Sequence, residues 1–154
     1  MSRIKNLYTY LITNRRAEVK GWLEDYVKFS EEVAKVREAL NLGQEIQDKG
    51  VYERTSFEKD GWSAFAQHLL YKKDNGISSR GQSVLSRENF DQFIKDQDFV
   101  SALTGLIKKP TKENFVTYAN AWEHTRLKQK AKRNPLLINR TLAACTTEVT
   151  STVD

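Results

Sequence analysis

The sequence predicts a mainly α-helical, compact multi-helix domain with one long helix and at most a minor β element. Three observations carry that expectation. Only two prolines and seven glycines interrupt 154 residues, and both residue types are the strongest helix breakers. Apolar residues recur at helical spacing over most of the chain. Good N-cap residues stand at the starts of the periodic segments.

Taken in order, a first short helix is expected over Arg3–Ile12, with Ile4, Leu7, Tyr8 and Leu11 on one face. Asn14 can cap the long helix, about 15–41, which Gly43 ends. Its residues Val19, Trp22, Tyr26, Phe29, Val33, Val36 and Leu40 are spaced alternately three and four apart, a heptad seam. Such a seam packs either against the rest of the same domain or against a partner. The aromatics on it favour the first, since coiled-coil dimers prefer small branched residues there. Residues 44–61 read as a polar loop with a short extended piece at Val51–Tyr52. A helix from Trp62 to about Lys72 follows, then the glycine- and serine-rich stretch 74–83. Ser86, Asp96 or Asp98, and Thr111 can each cap a further helix, and Asn134–Pro135 can open the last one, through Cys145. Val51, the 76–85 stretch and the β-branched tail could supply a small sheet. The apolar last helix and that tail read as the front part of a longer protein, with 1–154 a single helical domain.

Composition narrows the function. Hydrophobic residues are 39% and charged residues 29%, the balance of a globular domain. No run reaches the ~18 apolar residues of a membrane span, and the N-terminus lacks the pattern of a secretory signal. The single cysteine, Cys145, cannot form an internal disulfide, so a cytoplasmic setting is expected. The net charge of +5 is concentrated. Residues 1–60 hold eleven Lys/Arg and eleven Asp/Glu, and 61–104 hold five of each. Residues 105–154 hold nine basic against four acidic, so the excess lies in the last third. A localised excess makes a field that an even spread would not.

Catalytic patterns fail one by one. Gly76 to Ser83 has the glycine spacing of a phosphate-binding P-loop, but Gln82 stands where its lysine belongs. Arg80 stands where a nucleophile elbow needs its second glycine. His68 and His124 lie 56 positions apart, and with one cysteine no spacing resembles a zinc site. Cys145 lies in a helix interior and reads as a buried thiol. No enzyme activity, metal or cofactor is expected. The stretch with Ser78, Ser79 and Arg80 is either an anion cradle of backbone N–H groups or a plain connector.

The basic segment has a clearer use. Arg126, Lys128, Lys130, Lys132 and Arg133 follow one another without an intervening acid, and Lys108, Lys109, Lys112 and Arg140 can add to them. Such density either grips the phosphate backbone of DNA, releasing counterions, or forms a solvated face. Trp122 lies just upstream and could stack on a base. Asn134 to Cys145, with the Thr/Val-rich tail after it, resembles a segment of McrB-like, modification-dependent restriction ATPases. That resemblance implies an N-terminal region that recognises modified DNA, without the ATPase module. The leading expectation is therefore a non-catalytic DNA-binding module of a restriction or phage-defence system. The rival is a helical interaction module that docks a protein on the heptad face of the long helix.

Overall fold

A computed structural model describes residues 17–71 and 85–146, though not the side chains of 17–20, 22 and 23. Six α-helices lie among the described residues: α1 (Ala17–Asn41), α2 (Trp62–Leu70), α3 (Arg87–Phe93), α4 (Gln97–Lys108), α5 (Lys112–Lys128) and α6 (Pro135–Cys145). No strand occurs among them, which bears out the mainly α expectation. The first short helix, Asn14, Val19 and Trp22 of the seam, the 74–83 stretch with Ser78, Ser79 and Arg80, and the tail lie outside the described residues or side chains.

Local chemistry explains the boundaries. Ser86, Asp96, Thr111 and Asn134 each accept a hydrogen bond from the N–H three residues on, satisfying one of the free donors of a helix start. Pro135 follows in the first turn of α6, where its missing N–H costs nothing. At the other end of α1, Gly43 adopts φ 97°. The Gln44 N–H reaches the Ala39 carbonyl and the Gly43 N–H reaches that of Leu40, a Schellman motif whose left-handed residue favours glycine.

The helices close around one aromatic-rich core. α4 and α5 form an antiparallel hairpin, and α1 packs on α4 and α6. The described seam residues Tyr26, Phe29, Val33, Val36 and Leu40 are all buried within the chain. One ring cluster joins Phe29, Phe57, Phe65 and His68. A second joins Phe93, Phe99, Tyr118 and Trp122. Edge-to-face pairs such as Phe93–Phe99 add to the burial of apolar area.

Two expectations are corrected here. Val51 and Tyr52 do not extend but lie in a 3-10 turn, Lys49–Tyr52, with both side chains buried. Burial of Val51, Tyr52 and Phe57 makes this segment part of the core, and the buried Glu32 carboxylate fastens it by accepting from the Ser56 N–H and hydroxyl. Trp122 is 0% exposed, so it packs the core and cannot stack on a base.

Candidate nucleic-acid interface

The basic segment spans the end of α5 and the turn into α6. α5 stops as α1 does. The Ala131 N–H reaches the Arg126 carbonyl at 2.9 Å and the Lys130 N–H that of Leu127 at 3.3 Å. Lys130 takes the left-handed position at φ 54°, a conformation that usually falls to glycine. Ala131 turns inward and is buried, while Lys130, Lys132 and Arg133 project outward. Asn134, buried, then caps α6 through the Leu137 N–H at 3.2 Å.

The five cations of the run divide by partner. Arg126 is half-buried, and its Nε and Nη2 donate to Glu123 Oε2 at 3.0 and 2.7 Å. Its Nη1 reaches the Ala131 carbonyl at 3.2 Å, so the same guanidinium ties down the turn. The hydrogen bonds from Arg126 hold the Glu123 carboxyl below its usual range, against a smaller push from burial. Lys128 donates to Asp96 at 2.7 Å, across to the start of α4. Burial pushes the Asp96 carboxyl up, but hydrogen bonds from Lys128 and the Phe99 N–H outweigh it, and the net is a lowered pKa. Lys130 and Lys132 have no ion-pair partner among the described residues, and Arg133 adds only to the field on Glu123.

The interface expected from sequence is thereby reduced. Arg126 and Lys128 are exposed only in part or already paired. Arg140 is 2% exposed, on the buried side of α6, and cannot belong to the surface patch. Ser78, Ser79 and Arg80 lie outside the described residues. Lys108, Lys109 and Lys112 stand at the other end of α5, about 25 Å away at 1.5 Å per residue. The cations of the last third form two separate spots, not one stripe.

Neither helix that flanks the basic turn offers a face suited to groove reading. α6 has seven of its eleven residues buried, and a recognition helix must offer a free face to the major groove. The outward face of α5 is open but mixed, with Glu113, Val116, Asn120 and Leu127 among its exposed residues. What remains is a tight turn bearing Lys130, Lys132 and Arg133, suited to phosphates and not to base edges.

Sequence reasoning missed Asp96 and Glu123 as the carboxylates that hold the run. Glu123 was findable, being three residues before Arg126 on a helix. Asp96 lies 32 positions from Lys128 and had no local signal. Cys145 is buried, and burial pushes its thiol up to about 12, so it stays protonated at neutral pH. Among the described residues no group of three His, Cys, Asp or Glu could hold a metal. No described helix is long and apolar enough to cross a membrane. No family profile matches this chain, and no curated protein or solved structure is significantly similar to it.

Proposed function

We propose that this chain is a non-catalytic, cytoplasmic DNA-binding module that holds the phosphate backbone through Lys130, Lys132 and Arg133. The observation that carries the reading is the outward projection of these three cations from one short turn, two of them unpaired, beside two cations that carboxylates already neutralise. A turn of this kind positions a domain on a duplex, and selectivity has to come from elsewhere in the protein. The resemblance of Asn134–Cys145 to McrB-like proteins supports a place in a modification-dependent restriction or phage-defence system. Those residues build α6, a core helix, so the resemblance bears on the fold of the region more than on its contacts.

The rival reading loses its described surface. Tyr26 through Leu40 of the heptad seam is spent inside the domain, leaving no apolar stripe on that part of the long helix for a protein partner.

A fluorescence anisotropy titration with modified and unmodified duplexes at several salt concentrations tests the proposal. Three phosphate contacts predict a log–log salt slope of about −2.7. Absence of binding at low salt, or binding that ignores salt, would contradict it.

A further inference from the structure

We propose that Arg140 and the first turn of α6 form a seat for a single phosphate group, set behind the exposed turn. This deepens the reading above and rests on it for the choice of phosphate. The first observation is an unmet charge. Both terminal nitrogens of Arg140 are buried without a hydrogen-bond partner, and burial lowers its pKa with no carboxylate to oppose it. A guanidinium cut off from water and left without an acceptor is strongly unfavourable. The fold therefore calls for an anion.

The second observation is a free donor close by. In the first turn of α6, Pro135 has no N–H. That of Leu137 goes to the Asn134 side chain, and that of Ile138 to the Asn134 carbonyl. The Leu136 N–H has no acceptor among the described residues. A helical side chain slopes back over the turn that precedes it, so Arg140 lies against the turn of Leu136, four residues earlier. That geometry carries the guanidinium back toward the free N–H, at the positive end of the helix dipole. Lys132 and Arg133 immediately precede it. The planar fork of arginine matches two oxygens of a phosphate. Leu136, in the same turn, is 36% exposed, so this turn of α6 lies near the surface.

The test compares thermal midpoints of the full chain in inorganic phosphate and in chloride at equal ionic strength. Wild type should gain about 3 °C or more once phosphate exceeds its dissociation constant tenfold. Arg140→Met should lose that gain and, in chloride alone, be at least as stable as wild type, since an unpaired buried charge is gone. Arg140→Lys keeps the charge without the fork, folds, and should lose most of the gain. Lys132→Ala should keep most of it. No phosphate-specific gain in wild type overturns the seat, as does a gain that survives Arg140→Met. A chloride-only destabilisation by both Arg140 variants, with wild type indifferent to phosphate, also overturns it, by showing the guanidinium satisfied within the protein. Phosphate that competes with duplex marks a backbone contact, and phosphate that binds alongside duplex marks a free-anion site; both uphold the seat. Loss of duplex binding in Lys132→Ala with Arg133→Ala is read separately and concerns only the exposed turn.

Discussion

One carboxylate of Asp96 serves two helices at once: Oδ1 accepts the Phe99 N–H at 3.1 Å and caps α4, while Oδ2 accepts Lys128 Nζ at 2.7 Å from the end of α5. The start of one helix of the hairpin is thereby fastened to the finish of the other. The contact also withdraws a cation from the surface turn.

Asp96→Asn separates these roles. Asparagine caps a helix as well as aspartate does, so the cap should survive while the charge pair is lost. Lys128 is then released, and duplex affinity and the steepness of the salt dependence should both rise, the slope by a little under one. Asp96→Ala should cost about 1 kcal/mol of stability through the lost cap. Denaturant melts and anisotropy titrations of both variants check this. Unchanged salt dependence in Asp96→Asn would mean that Lys128 is not a latent phosphate contact.

Acid should weaken the same clasp. The Asp96 pKa is lowered in the folded protein, so its stabilisation is complete above the unfolded-state value of about 3.9 and disappears as pH falls through the lower folded value. The Lys128 pKa is raised, so its share is present below about 10.4 and disappears as pH rises through the folded value. Thermal midpoints measured from pH 2 to 6 should fall less steeply for Asp96→Asn than for wild type. Parallel curves would remove Asp96 from the acid limb.

Lys130→Gly should push stability and binding in opposite directions. Lys130 holds the left-handed position that Gly43 holds at the end of α1. Glycine there relieves backbone strain and should stabilise by about 1 kcal/mol. It also removes one exposed charge, so duplex binding should weaken and the salt slope fall by a little under one. A variant that is more stable and binds equally well would leave Lys130 with no role at the interface.

Arg37 joins three helices and should be the costliest surface-proximal cation to remove. From α1 its Nε donates to the Ile107 carbonyl at 2.6 Å, and its Nη2 donates to the Cys145 carbonyl. These carbonyls belong to the last turns of α4 and α6, where cations are favoured. Charged hydrogen bonds of this kind contribute about 1.5–3 kcal/mol each, so Arg37→Ala should lose about 3 kcal/mol or more in urea unfolding. A loss under 1 kcal/mol would show that water replaces it.

Trp122 should report on folding and not on ligand. It is fully buried between Phe93, Phe99 and Tyr118. Trp122→Ala should cost about 3–5 kcal/mol. Trp122→Phe should cost less, since the indole N–H has no partner to lose. Duplex binding that depends on the indole in a folded Trp122→Phe variant would contradict its place in the core.

The helices and most of the core are legible in local residue spacing. Ser86, Asp96, Thr111, Asn134–Pro135 and Gly43 mark their boundaries because capping is a contact among residues three or four apart. The spacing of Tyr26, Phe29, Val33, Val36 and Leu40 marks a buried face because helical periodicity is equally local. The fate of the charges depends instead on how the helices pack together. Residues 126–133 read alike along the chain, yet one cation goes to Glu123 a turn away and another to Asp96 on a different helix. Three stay outside, and Arg140, on the next helix, goes into the interior. An ion pair between residues 32 apart, or the burial of one arginine, depends on which helices meet. Local spacing carries no record of that, because every lysine on an isolated helix is equally solvated.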